Sequence, residues 1–126
     1  MGEVVELHRE AINEYGGSHG LRDLGRLEAA VAMPRAGSGD VYYHTDLWEM
    51  AAAYLFHIVD GHPFIDGNKR TGLMTANVFL RLNGLVVVAN EDAYADLVLA
   101  VASGQADKTA IADFLRGHTA PAADPS

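Results

Sequence analysis

The chain has 126 residues, of which 49% are hydrophobic and 21% are charged, a composition typical of one globular domain and not of a disordered segment. Its 9 Lys and Arg residues against 17 Asp and Glu residues give a net charge of −8, which disfavours direct binding to nucleic acids or to anionic membranes. The absence of cysteine excludes disulfides, catalytic thiols and thiolate metal sites. Without a long apolar run or an amino-terminal signal pattern, we expect a cytoplasmic protein.

The spacing of apolar residues predicts a compact all-α bundle of about six helices, formed by a single domain over residues 1–117. Asp23 and Thr45 are the predicted N-caps of the second and third helices, and Pro34 would end the second. We predict helices over residues 3–15, 24–31, 46–60, 67–82, 92–102 and 108–115, a loop or flap over 35–44 before the central helix, and a disordered tail over 118–126.

Two of these helices have informative apolar patterns. The first has a single stripe, formed by Val4, Leu7, Ala11, Ile12 and Tyr15. The central helix, residues 46–60, is apolar on almost every side, which predicts that several other helices surround it.

The segment His62–Arg70, between the central helix and the next one, has a residue pattern that a purely structural role does not explain. Lys69 and Arg70 place two cations in the first turn of a predicted helix, where unpaired N–H groups and the helix dipole disfavour positive charge by about 0.3–1 kcal/mol each. An anion bound at this helix start would remove the conflict, because the N–H groups and both side chains would converge on it.

The other residues of the segment fit a phosphate site. Gly67 lacks a Cβ and would let a ligand approach the backbone, and Asn68 could bind a phosphate oxygen through its amide. Asp66 is a carboxylate of the kind that holds Mg²⁺ together with substrate phosphates. His62 could accept a proton from an attacking hydroxyl. Phe64 would anchor the loop in the core.

Each residue also has a local explanation. His62 could cap the carbonyl groups of the preceding helix, and Asp66 could be an ordinary N-cap. Gly67 could serve a turn, and Lys69 and Arg70 could pair with surface acids. We prefer a phosphate site because these independent explanations would otherwise all have to coincide.

The segment His62-Pro63-Phe64-x-Asp66-Gly67-Asn68-Lys69-Arg70 resembles the signature of the Fic/Doc superfamily, in its death-on-curing (Doc) branch of toxins from type II toxin–antitoxin systems. The broader Fic pattern is His-Pro-Phe-x-(Asp/Glu)-Gly-Asn-Gly-Arg, and Lys69 in place of its second glycine is the Doc-type departure. Weaker similarities occur in the family's order at residues 15–17, 20–23, 27–30 and 68–84.

The resemblance implies a bundle of about six helices with the motif loop at the surface, and it implies ATP and Mg²⁺ as cofactors. It assigns the proton-accepting role to His62 and the metal to Asp66. The catalytic residues it implies are His62, Asp66, Lys69 and Arg70, and the nucleotide phosphates would bind to Gly67, Asn68, Lys69 and Arg70.

In the Doc branch the lysine is associated with a reversed placement of ATP, so that the γ-phosphate moves instead of AMP. The implied substrate is a threonine of elongation factor Tu, whose phosphorylation arrests translation. The implied partner is an antitoxin of the Phd type, which inserts a C-terminal helix into a groove of the toxin. The first helix and the loop over residues 35–44 are the candidate surfaces for it.

Two alternative functions remain open. The chain could be an AMP transferase of the ordinary Fic type, or a non-catalytic binding module. Outside the motif, Tyr42 and Tyr43 are candidates for contact with a target. Arg22, Arg26 and Arg35 could assist phosphates or a partner, but solvated surface is the default interpretation for each.

Overall fold

The computed structural model describes residues 1–35, 37–38, 41–42 and 46–122, and for residues 35, 37–38 and 41–42 it describes the backbone alone. This part of the chain contains six α-helices and two small antiparallel sheets, which confirms the predicted all-α class. The helices are α1 (Gly2–Tyr15), α2 (Leu24–Ala32), α3 (Leu47–Gly61), α4 (Asn68–Leu82), α5 (Glu91–Ala102) and α6 (Lys108–Gly117). The strands are β1 (Gly37–Ser38), β2 (Val41–Tyr42), β3 (Leu85–Val87) and β4 (Thr119–Pro121).

Side-chain caps set the start of four helices. As predicted, the Asp23 carboxylate accepts the N–H of Arg26 at the start of α2. The α3 helix begins at Asp46, whose carboxylate accepts the N–H of Glu49 at 2.7 Å, whereas the predicted cap Thr45 lies outside the described residues. Asn90 and Asp107 cap α5 and α6 in the same way. Pro34 lies in a short 3₁₀ turn, Met33–Arg35, that follows α2 directly.

The α3 helix is the centre of the bundle, as its apolar pattern predicts. It contacts α2, α4, α5 and α6, and its side chains contribute to two hydrophobic clusters. The larger cluster lies between α3, α4, α5 and α6, and the smaller one joins α1, α2 and α3 to Phe64 of the motif loop. Because α3 is packed on several sides, its carboxyl-terminal end has a fixed position in the bundle. The loop that follows therefore starts from a fixed point.

The predicted disordered tail over residues 118–126 is wrong for its first part. Residues 119–121 form β4, which pairs with Leu85–Val87 in antiparallel register, and residues 123–126 lie outside the described part of the chain. The Trp48 indole N–H also donates to the Thr119 hydroxyl at 2.8 Å. An alanine- and proline-rich segment is therefore ordered by a strand partner and a hydrogen bond that are both distant in sequence.

The predicted flap over residues 35–44 falls largely outside the described residues. Its described part is a backbone pairing of Gly37–Ser38 with Val41–Tyr42, and the side chains of Arg35, Tyr42 and Tyr43 lie outside the description. Among the described helices, none has the length and apolarity needed to cross a membrane.

Gly72 lets α3 and α4 approach closely. A Cβ at this position would lie 2.9 Å from Val59 Cγ2 and 3.2 Å from the Leu55 carbonyl oxygen. We expect Gly72→Ala to lower the free energy of unfolding by about 1–3 kcal/mol through overpacking, despite the better helix propensity of alanine.

Gly25→Ala in α2 is the matched control for this prediction. Among the described residues, a Cβ there would meet the Asp23 carboxylate alone, at 3.4 Å, so alanine should be neutral or stabilise by up to about 1 kcal/mol. Urea denaturation of the three proteins measures both changes. A Gly72→Ala protein as stable as the Gly25→Ala protein would contradict the close packing of α3 on α4.

Candidate functional site

The motif loop, residues 62–67, begins where guanidinium groups bind the last carbonyl groups of α3. Arg22 donates from Nε to the His62 carbonyl at 2.7 Å and from Nη2 to the Gly61 carbonyl at 3.1 Å, and Arg26 Nη1 lies 3.4 Å from the same Gly61 oxygen. Cations are favoured at this end of a helix because its carbonyl groups carry partial negative charge. Arg22 and Arg26 are exposed, as predicted, and they also bind the carbonyl groups at the end of α3, which the prediction did not include.

Backbone hydrogen bonds clamp the loop to residues 20–23. The N–H groups of Arg22 and Asp23 both donate to the Pro63 carbonyl, at 2.7 and 3.0 Å, and the Ile65 N–H donates to the Gly20 carbonyl at 3.0 Å. Leu21 and Phe64 form an antiparallel bridge between these bonds.

Two glycines permit this approach. Gly20 has φ +130°, and a Cβ there would lie 2.6 Å from the Ile65 side chain. Gly17 has φ +114°, and its Cβ would lie 2.7 Å from the Asp66 carboxylate. Both positions therefore favour glycine, chiefly because of their positive φ.

Phe64 anchors the loop, as predicted, and Asn68 closes it. The Phe64 ring is buried among Val4, Leu27 and Ile58. The buried Asn68 amide accepts the Phe64 N–H and donates to the Phe64 carbonyl, both at 3.0 Å. Asn68 thus has a role in loop geometry, and its contact with a phosphate stays a prediction.

Asp66 presents an exposed carboxylate that is held by two backbone N–H groups. Oδ1 accepts from Gly67 at 2.9 Å and Oδ2 from Ser18 at 3.2 Å. A carboxylate oxygen has more than one acceptor position, so both remain able to bind a cation. No cluster of three His, Asp or Glu residues within the described ranges could hold a metal alone. The residues therefore fit an ion such as Mg²⁺ whose other ligands are phosphate oxygens and water.

Gly67 begins α4 in a left-handed conformation, with φ +77°. A Cβ at this position would lie 2.9 Å from Ile12 Cδ1 and 3.6 Å from the His8 ring. The structural reason for glycine is therefore close packing against α1 and a positive φ. The predicted approach of a ligand to this backbone stays a prediction.

His62 is exposed and adopts a left-handed conformation, with φ 48°, at the end of α3. Its backbone N–H donates to the Ile58 carbonyl at 3.2 Å. The local explanation for its side chain is not supported, since Arg22 and Arg26, and not the imidazole, bind the Gly61 and His62 carbonyl groups. Within the described ranges the imidazole makes no hydrogen bond, so it is open to a substrate.

Lys69 and Arg70 are exposed in the first turn of α4, and neither forms an ion pair within the described part of the chain. The Arg70 guanidinium instead lies over the Tyr15 ring, 3.8 Å from its centroid, in a cation–π contact. Among the side chains that the structure describes, none caps α4, unlike the four helices that Asp or Asn begins. The N–H groups of its first turn are therefore open beside two cations.

Sequence reasoning missed His8 of α1. This buried ring stacks on Phe64, with centroids 3.8 Å apart and planes within 5°, and its Nε2 lies 2.8 Å from the Asp66 carbonyl oxygen. Its spacing could have revealed it, because His8 lies four residues from both Val4 and Ile12 on the buried stripe. Tyr15, assigned to the same stripe, is 56% exposed beneath Arg70.

Comparison with known proteins gives concordant results. A family model described as the Fic/DOC family matches residues 2–80. The chain is 42% identical over 116 residues to the protein kinase doc of Escherichia phage P1, which covers 90% of this chain and 89% of that protein. It is 40% identical over 110 residues to the toxin Doc of Mycolicibacterium smegmatis, covering 86% and 85% of the two chains.

The left-handed backbone at His62 generates a prediction about stability. We expect His62→Gly to be about 1 kcal/mol more stable to unfolding than His62→Ala, because alanine retains the steric cost of positive φ and glycine does not. Chemical denaturation of the two variants measures the difference. Equal stabilities would show that this conformation carries no strain.

Proposed function

The chain belongs to the Fic/DOC family, and on this premise we propose that it is a Doc-type toxin that transfers the γ-phosphate of ATP to a threonine hydroxyl of a translation factor. Elongation factor Tu is the proposed target, and arrest of translation is the proposed outcome. The similarity to a protein kinase doc over 90% of the chain supports the reaction class.

The observation that carries the proposal is the start of α4. It combines an uncapped helix terminus with two side-chain cations that have no anionic partner within the described ranges. Both features are unfavourable in isolation, and a bound polyphosphate compensates for both, since it accepts the free N–H groups and pairs with Lys69 and Arg70.

His62 is the proposed general base. Its open imidazole lies at the other end of the six-residue loop that joins α3 to α4, so one clamped segment carries both the base and the phosphate site. The base would accept the proton of the threonine hydroxyl as that oxygen bonds to the γ-phosphorus, while the bond from this phosphorus to the β–γ bridging oxygen breaks and ADP leaves.

Asp66 is the proposed ligand of Mg²⁺. When bound, the ion would neutralise phosphate charge and help to orient the nucleotide. The chain's own contribution is to hold the carboxylate, which the N–H groups of Ser18 and Gly67 fix beside the start of α4.

Lys69 supports γ-phosphate transfer over AMP transfer. A lysine side chain fills space that the glycine of the broader Fic pattern leaves open, and it adds a charge that attracts a terminal phosphate. Its exposed position in the first turn of α4, without an ion pair among the described residues, is suited to this role.

We also propose that a Phd-type antitoxin controls the toxin by laying an amphipathic helix in a groove of about 390 Å³ between α1, α3 and α4. The groove is mostly apolar and open, and Leu82 at its edge is 82% exposed. An exposed apolar surface of this kind is typical of protein interfaces. Its main apolar lining residues are Val4, Leu7, Tyr54, Val78, Phe79 and Leu82.

The reaction is tested with ATP labelled at either the α or the γ position, incubated with the chain and elongation factor Tu. We expect label on a threonine from γ-labelled ATP alone, and none with His62→Ala. Label from the α position alone would identify an AMP transferase. Growth inhibition that survives His62→Ala without any transfer would identify a binding module.

Lys69→Ala and Arg81→Ala form a matched control pair, because each removes one exposed cation from α4, at opposite ends of the helix. We expect Lys69→Ala to weaken ATP binding about tenfold or more, and Arg81→Ala to leave it unchanged. Equal effects of the two variants would mean that net charge, and not a phosphate site, governs binding.

The groove is tested by substituting Leu82 with a charged residue. We expect Leu82→Glu to abolish co-purification with the antitoxin and its relief of toxicity, while ATP binding is retained. Leu99→Glu is the control, since Leu99 of α5 is 53% exposed and lies outside the groove. An antitoxin that still binds and neutralises Leu82→Glu would contradict this docking site.

A further inference from the structure

His8 joins α1 to the motif loop through two contacts of different kinds. Its ring stacks on Phe64, and its Nε2 lies 2.8 Å from the Asp66 carbonyl oxygen, across 58 positions of sequence. Because a carbonyl oxygen can only accept, Nε2 carries the hydrogen and donates it. His8 is 4% exposed, so little water competes for this bond.

The hydrogen bond fixes one particular peptide unit. The Asp66 carbonyl and the Gly67 N–H belong to the same planar group, so fixing the direction of the oxygen also fixes the direction of the N–H. That N–H donates to Asp66 Oδ1 at 2.9 Å. His8 therefore acts on the carboxylate through a rigid peptide, without touching it.

Close packing preserves the arrangement. Gly67 lies against the same ring, since a Cβ there would be 3.7 Å from His8 Nε2. Rotation of the Asp66–Gly67 peptide would break the bond to His8 and the bond to the carboxylate together. The carboxylate would then be held by the Ser18 N–H alone, at Oδ2.

We propose that His8 is a positioning residue, which sets the orientation in which the motif loop presents the Asp66 carboxylate to a metal–nucleotide complex. This inference rests on the proposed function for its ligand, and on the His8, Asp66 and Gly67 contacts for its geometry. It predicts that the loss of the Nε2–H bond weakens the metal-dependent part of nucleotide binding, while loss of the ring alone does not.

Two substitutions separate the bond from the ring. His8→Phe keeps an aromatic ring against Phe64 and removes the donor, whereas His8→Gln keeps an N–H donor at a similar reach and removes the ring. Val98→Ala in α5 is a control for general loss of stability, because this buried residue lies in the other hydrophobic cluster. Thermal denaturation of each variant records the change in stability.

The primary measurement is calorimetric binding of a non-hydrolysable ATP analogue, with Mg²⁺ and with a chelator. For His8→Phe we expect affinity in Mg²⁺ to fall about five- to tenfold, the effect of one lost hydrogen bond, with little change in the chelator. His8→Gln and Val98→Ala should keep the metal-dependent gain. A wild-type gain in His8→Phe, or its loss in His8→Gln, would overturn the proposal.

A second measurement needs no nucleotide. Hydrogen exchange of the Gly67 amide should be at least about threefold faster in His8→Phe than in the wild type, and unchanged in His8→Gln and Val98→Ala. Unchanged exchange in His8→Phe would also overturn the proposal.

A wild-type chain that binds no ATP with Mg²⁺ would contradict the proposed function, and exchange of the Gly67 amide would then decide the role of His8 separately. Should His8→Phe not fold, His8→Gln decides the question by the same two readouts.

Discussion

The backbone pairing of residues 20–23 with residues 63–65 determines the shape of the candidate site. A loop between two helices exposes peptide groups that helical hydrogen bonds do not satisfy, and here the segment after α1 satisfies them. Arg22 contributes twice, because its N–H binds the Pro63 carbonyl while its guanidinium binds the Gly61 and His62 carbonyl groups. The end of α3 and the first residues of the loop are thus held by one side chain and its own backbone.

The start of α4 is the opposite case, since there favourable local interactions are missing. The helix has no capping side chain from the described part of the chain, no acidic residue in its first turn, and two cations where the dipole disfavours them. Stacking of Arg70 on Tyr15 offsets part of the cost, yet it leaves the guanidinium at the surface. In a chain of net charge −8, this is a local reversal of sign that matches an anionic ligand.

Much of the fold follows from the sequence because local interactions decide it. Asp23, Asn90 and Asp107 directly precede the helices they cap and accept N–H groups two or three residues further along. The apolar character of α3 predicts its central position. The predicted disorder is wrong for residues 119–121 because β4 depends on a strand 34 residues earlier, at Val86 paired with Ala120, which no local pattern reveals.

The motif could likewise be located from sequence, since its charge conflict lies within adjacent residues. Its supports could not be, apart from the spacing of His8. In the sequence, Arg22 and Arg26 look like ordinary surface residues. Only the fold brings them to the end of α3, 35 or more positions away. The sequence could not show that the Asn68 amide is buried and bound to the Phe64 backbone, because both depend on where the loop packs. Its interpretation as a phosphate ligand therefore took no account of this structural role.

Trp48 is the only tryptophan of the chain, and its surroundings make it an intrinsic optical probe. Its indole N–H binds Thr119 of β4, and the Arg116 guanidinium lies 5.6 Å from its ring while pairing with Asp46 at the start of α3. Indole emission responds to polarity and to nearby charge, so undocking of β4 would change the emission spectrum. Fluorescence of the unlabelled protein therefore reports on β4 and on the start of α3, two regions that are distant in sequence from the motif loop.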